Sequence, residues 1–195
     1  MTPAVLVFVA LLLVAVVAVT LFNRLVTLQN RVRNAYAQID VQLKRRYDLI
    51  PNLVETVRGY MQHERATLEA VLAARGAALN AANAAAAAPG DAAAVRSLLG
   101  AESALAGLLM RLRMIVEAYP DLKADRSAGQ LMEELTSTEN RVAFARQAYN
   151  DAVAAYNTAC GRFPNNLVAL AAGFSPAEMF EVTTSAEAAA PAVSF

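Results

Sequence analysis

The sequence predicts an all-α protein: an N-terminal transmembrane helix followed by an antiparallel, up-down four-helix bundle with long, coiled-coil-like helices. Three observations carry this reading. Residues Pro3 to Phe22 contain no charged side chain and a single polar one, Thr20. From Leu25 onward, apolar residues recur in steps of three and four through four successive stretches, the seam of a packed helix. No alternating apolar and polar run of the kind that makes a strand interrupts them.

The apolar run has about the 20 residues needed to cross a bilayer core. A cleaved signal would want a basic start, a shorter apolar core and a small-x-small cleavage site. Met1-Thr2-Pro3 has no basic group, and the run ends in bulky Leu21-Phe22. Residues 1–22 therefore read as a retained anchor. Arg24, Arg31 and Arg33 follow it, with no acidic residue before Asp40. Basic residues beside a span stay inside the cell. The expected location is the inner or plasma membrane, single-pass, with the bundle on the cytoplasmic side.

The first bundle helix carries Leu25, Leu28, Val32, Ala35, Ile39 and Leu43, and nothing between Ala4 and Ile50 breaks it. Span and helix thus read as one rod. Ile50-Pro51 is expected to form a corner, because proline lacks an N–H and pushes the preceding residue out of the helical region. A second helix then starts at Pro51-Asn52 with a seam of Val57, Met61, Glu64, Leu68, Val71, Arg75 and Ala78. Its end, Ala81 to Ala88, reads as a thin extension that buries little. Pro89-Gly90-Asp91 stops it, and Asp91 can cap the third helix. The third seam is Val95, Leu98, Glu102, Leu105, Leu109, Leu112, Val116 and Tyr119, ended by Tyr119-Pro120-Asp121. After a polar connection capped by Asp125 or Ser127, the fourth runs through Leu131, Leu135, Thr138, Val142, Ala145, Tyr149, Ala152, Tyr156 and Ala159. Gly161 ends it.

Up-down order brings the Arg45-to-Asn52 corner and the Tyr119-to-Ser127 connection together at the tip far from the membrane. There Arg45 or Arg46 is expected to meet Asp121 or Asp125, with Leu49 and Ile50 buried, and Arg45, Arg46, Asp121 and Lys123 become candidate partner-binding residues. At the membrane end, Asn166 to Ala172 reads as a short apolar helix and Ser175 to Phe180 as another capped turn. This segment either packs on the bundle or dips into the bilayer surface. The candidate lipid contacts are Arg24, Arg31, Arg33, Phe163, Leu167 and Phe174. Residues 23–182 form the bundle unit, and 183–195 have the composition of a disordered tail.

Catalytic chemistry is hard to place. His63 is the sole histidine, so His63-Glu64 cannot open a two-histidine zinc site. No glycine-rich phosphate loop is present. The lone Cys160 has no disulfide partner within the chain and reads as a small core residue. With 17 basic and 17 acidic residues the net charge is zero, which gives no global pull toward nucleic acid.

Several strings resemble the LemA family. They are Asn23-Arg24-Leu25-Val26, the run from Gln38 to Val57 that includes Arg45-Arg46-Tyr47-Asp48-Leu49-Ile50-Pro51-Asn52, His63-Glu64, and Tyr119-Pro120-Asp121-Leu122-Lys123-Ala124. Glu139-Asn140-Arg141, Ala145 to Asn150, Tyr156-Asn157, Phe163-Pro164 and Val193-Ser194-Phe195 extend the match. Ala81 to Asp91 is the part that matches poorly. The resemblance implies a single-pass membrane protein with an antiparallel helical bundle, and it carries over no enzymatic activity and no cofactor. The expected function is a membrane-anchored scaffold or adaptor, with a lipid-organising or membrane-remodelling protein as the alternative. Expected partners are membrane lipid through the anchor, an unidentified protein, or a second copy of the chain. The last residues, with Val193 and Phe195 alternating, suit a groove that adds a peptide as a strand. A membrane protease or PDZ-like domain would offer one.

Overall fold

The computed structural model describes residues 3–120, 122 and 125–180. Among them are five α-helices and no strand: α1 (Pro3–Arg58), α2 (Arg65–Ala87), α3 (Ala92–Ala118), α4 (Arg126–Gly161) and α5 (Asn165–Ala172). A 3-10 turn, Gln62–Glu64, leads into α2. The all-α bundle behind a long apolar helix is the predicted fold class. The expected tail residues 183–195, with Val193 and Phe195, lie outside the described residues, as do Asp121 and Lys123.

α1 is one helix of 56 residues, and it runs through Pro51 instead of turning there. This overturns the expected corner, and the cause is specific. Proline at 51 leaves the Tyr47 carbonyl without its helical donor. The Arg75 Nε–H, from α2, donates to that carbonyl at 2.9 Å. The missing bond is replaced from a neighbouring helix, so the rod continues to Arg58. The chain reverses at Gly59 to Met61, where the Tyr60 and Met61 amides both donate to the Val57 carbonyl. Ile50 is fully buried all the same. From Leu25 to Arg58 the bundle part of α1 spans about 50 Å at 1.5 Å per residue.

The other predicted boundaries hold. Asp91 caps α3 by accepting from the Ala94 amide at 2.8 Å. Asp125 caps α4, accepting from Ser127 and Ala128. α3 ends before Tyr119-Pro120 and α4 ends at Gly161. The seams also hold: Leu25, Val32, Ile39 and Leu43 of α1, Leu68 and Val71 of α2, and Val95, Leu98, Leu105 and Leu112 of α3 are buried. On α4, Leu135, Val142, Tyr149 and Tyr156 are buried, and Cys160 is a buried free thiol. The alanine tract is not the thin extension expected. Ala78, Ala82 and Ala85 form a buried stripe, and the Tyr36 and Tyr47 rings of α1 fill the space beside it. Their hydroxyls reach the Ala82 and Ala78 carbonyls at 3.4 Å.

α1 packs along α4 and α2, and α2 along α3. α3 and α4 stand apart, and the open flank between them is a groove. Residues 174–180 are neither helix nor the capped turn expected. They form an extended strap laid over α4 and the α2–α3 connection. Gly90 lets it pass: its φ is +92°, and a Cβ there would stand 2.9 Å from the Ala177 Cβ.

Candidate functional site

The groove between α3 and α4 encloses about 700 Å³. Its depth comes from small residues: Gly100, Ser103 and Ala106 on α3 face Ala143 on α4. Leu99, Leu109, Met110, Met132, Leu135 and Val142 make its walls apolar. Arg46 of α1 closes the floor together with Leu53.

That floor is polar and nearly dry. Arg46 is buried and ion-paired with Glu102 of α3. The Tyr47 hydroxyl donates to the other Glu102 oxygen at 2.7 Å. Burial and the Glu102 charge push the Tyr47 hydroxyl well above the ordinary tyrosine range, so it stays a neutral donor. The Arg46 Nε is buried and has no hydrogen-bond partner. One wall carries Arg146, whose guanidinium lies 5.3 Å from the Phe180 ring centroid and reaches the Phe180 carbonyl at 3.5 Å. Among the described residues it has no carboxylate within ion-pair distance. Burial pulls its pKa below the usual arginine value, with Glu102 working the other way.

The strap is clasped by a repeated pair, Tyr149-Asn150 and Tyr156-Asn157, seven residues apart on one face of α4. The Asn157 amide accepts from the Ala177 N–H and donates to the Ala177 carbonyl, both at 2.9 Å. Asn150 does the same for Phe180, at 2.7 and 3.1 Å. The Tyr149 and Tyr156 hydroxyls donate to the carbonyls of Glu178 and Ser175. Burial pushes both tyrosines up to about 12. An asparagine carboxamide presents an N–H donor and an acceptor oxygen side by side, which matches the C=O and N–H of one residue of extended backbone whatever its side chain.

Of the predicted partner-binding residues, Arg45 and Arg46 lie among the described residues, and they take different partners. Arg45 points away from Arg46 and pairs with Glu134 of α4 at 2.5 Å. Neither arginine meets Asp125, whose carboxylate caps α4 and accepts from the Tyr60 hydroxyl at 3.2 Å. In place of Asp125, Arg45 meets Glu134 and Arg46 meets Glu102, while Asp121 lies outside the described residues. What survives is the meeting of the first and third connections, now through Tyr60 and Asp125.

The predicted lipid-contact residues do gather at one end. Arg24, Arg31, Arg33, Phe163 and Leu167 are exposed. Phe174 is only half-exposed, because its ring packs 5.6 Å from that of Phe22. Sequence reasoning did not single out Leu170, 84% exposed. It also missed the strap, although the Tyr-Asn repeat was a visible signal for it.

A chain of this kind is an all-α bundle on a long rod whose first 20 residues are apolar enough to cross a membrane, and among its described residues no group of His, Cys, Asp and Glu could hold a metal ion. The family model described as "LemA family" matches residues 35–195. The chain belongs to the LemA family. It is 28% identical over 174 residues to the magnetosome protein MamQ of Magnetospirillum gryphiswaldense, covering 82% of this chain and 64% of that protein. The chain thus spans just under two thirds of that relative's length. The magnetosome proteins MamQ 1 and MamQ 2 of Paramagnetospirillum magneticum are each 28% identical over 195 aligned residues, covering 88% of this chain and 72% of theirs.

Proposed function

We propose that this chain is a single-pass membrane scaffold without catalytic activity, and that its α3–α4 groove receives an amphipathic helix bearing a carboxylate from a partner protein. One observation carries the reading: the groove is open, walled by apolar side chains, and edged by Arg146, a half-buried cation with no ion-pair partner among the described residues. A helix-in-groove contact needs such apolar walls, and an acidic residue facing Arg146 would compensate its charge. The MamQ relatives are named for a cell structure and not for a reaction. α1 supports the anchor: its apolar window has a mean hydropathy of 3.3 and no part of it is buried in the protein. α3 is also long enough to cross a bilayer, but it is much less apolar and its apolar seam serves the core.

A photo-crosslinking residue at Ala143, inside the groove, tests the reading in intact membranes, with exposed Gln147 outside it as the control. Ala143 should capture a peptide that contains an acidic helix. Arg146→Glu should abolish the capture and Arg146→Lys should keep it. Equal yields at both positions, or indifference to Arg146→Glu, would refute the groove as the site. A captured peptide from this same chain would make the occupant a second copy. Arg24, Arg31 and Arg33 beside the span support a cytoplasmic bundle. Labelling of an Ala88→Cys variant by an impermeant reagent applied outside intact cells would reverse that placement.

A further inference from the structure

We propose that the outer face of α5 lies in the headgroup region of the membrane that α1 crosses, as an apolar collar at the base of the bundle. This rests on the reading of α1 as a span and adds a second, surface contact to it.

Position is the first argument. The Tyr36–Tyr149 ring contact, 6.0 Å between centroids, sets the antiparallel register of α1 and α4. That register brings the end of α4 at Gly161 level with Arg24, just past the apolar run. α5 follows four residues later and packs against both α1 and α4. Its end touches the base of the anchor directly, through Phe174 on Phe22.

Chemistry is the second. α5 presents two faces. Asn165 and Ala169 are buried against the bundle. The opposite side holds Leu167 and Leu170, at 58% and 84% exposure, and Phe163, 76% exposed, stands in the turn just before the helix. Single exposed apolar residues are ordinary, so none of these decides anything alone. Two on one helical face with a third in the adjoining turn, beside a membrane-length apolar helix, do. Arg24, Arg31 and Arg33 of α1 and Arg162 at the end of α4 are exposed, and among the described residues none has a carboxylate within ion-pair distance. Apolar side chains beside unpaired cations suit an anionic bilayer surface, where an amphipathic helix sinks its apolar side by about 5–10 Å.

Rigidity is the third. Gly173, at φ +74°, ends α5 in the left-handed conformation, and the Phe174 amide closes the cap on the Ala169 carbonyl at 2.9 Å. The Tyr156 hydroxyl and the Asn157 amide then hold Ser175 and Ala177. The helix is thus held at its C-terminal end, and Asn165 and Ala169, buried against the bundle, fix which side faces out.

The chain has no tryptophan, so one introduced indole reports a single place. The full chain is reconstituted in vesicles of phosphatidylcholine and phosphatidylglycerol, with ordinary or brominated acyl chains. The reporters are Val14→Trp within the span, Leu170→Trp on the outer face of α5 and Met110→Trp on the bundle wall. Emission of Val14→Trp and Leu170→Trp should fall about twofold in brominated lipid, because bromines reach only groups at or below the headgroups. Met110→Trp should not change. Quenching at Val14 without quenching at Leu170 overturns the collar and leaves the anchor standing. No quenching at Val14 overturns both. Equal quenching at Leu170 and Met110 also overturns the collar, since the whole bundle would then lie on the surface. If Leu170→Trp loses helical circular dichroism, Phe163→Trp in the adjoining turn is held to the same outcomes.

Discussion

The two flanks of α4 differ in kind. Toward α1 it is sealed by Tyr36, Tyr149 and Phe180, whose rings meet at 5.5 to 6.3 Å, and the strap is hydrogen-bonded over the top. Toward α3 it faces Gly100, Ser103 and Ala106 across a hollow. Both flanks come from regular amphipathic helices with good seams. What separates them is side-chain volume at the facing positions. Large rings fill one interface, and small residues leave the other without the atoms that dispersion attraction needs. A helical pattern alone therefore tells where a helix packs, but not how tightly.

The largest expected effect breaks the sealed side. Tyr149 is fully buried, stacks on Tyr36 and Phe180, and holds the Glu178 carbonyl. Tyr149→Ala should destabilise the protein by about 3–5 kcal/mol in denaturant unfolding, the range for emptying a buried aromatic site. The matching change on the open side is Ala143→Leu, which adds volume to the hollow. It should move stability by no more than about 0.5 kcal/mol, as substitutions away from packed features do. Comparable costs for the two would mean that the groove is as tightly packed as the seam, and the contrast would be lost.

A smaller effect tests the bond that carries α1 through Pro51. Arg75→Ala leaves the Tyr47 carbonyl unpaired and should cost about 1–3 kcal/mol. Pro51→Ala returns a helical N–H to that carbonyl. In the Pro51→Ala background the Arg75→Ala change should therefore cost less, and the difference is the coupling a double-mutant cycle measures. Additive costs would show that Arg75 acts on something other than the Pro51 gap.

These contacts explain what the sequence could and could not disclose. Periodicity located the seams of α1, α3 and α4, because burial acts on every turn of a helix. Asp91, Asp125 and Gly161 marked helix ends through local chemistry within a few residues. Pro51 was misread because its local rule is overridden by Arg75 of α2, a contact no local window contains. The alanine stripe was undervalued because the bulk beside it belongs to Tyr36 and Tyr47. The groove depends on small residues on two helices about 40 positions apart, and neither set stands out alone. The strap was legible in principle: two asparagines on one helical face, each beside a buried tyrosine, need backbone partners from somewhere. Arg24, Arg31, Arg33, Phe163 and Leu167 are exposed as expected of residues next to an apolar run, because charge and apolarity there are read directly from composition.

The smallest effect lies at the chain link between α3 and α4, where the open flank begins. Asp125 caps α4 there and receives the Tyr60 hydroxyl from the far end of α1. Its carboxyl is held below the ordinary value of 3.8, first by the Ala128 N–H, then by the Ser127 N–H and the Tyr60 hydroxyl, with desolvation opposing. A carboxylate whose pKa is depressed in the folded state stabilises fully above its unfolded pKa. That contribution is lost as pH falls through the lower, folded value. The Ser127 and Ala128 amide resonances should therefore titrate together with a midpoint below 3.8. Asp125→Asn should remove the titration while keeping a neutral cap, and Tyr60→Phe should move the midpoint upward. A midpoint at or above 3.8 would mean that the carboxylate is not holding these amides. The link would then leave the first turn of α4 free, and the open flank would begin one turn deeper.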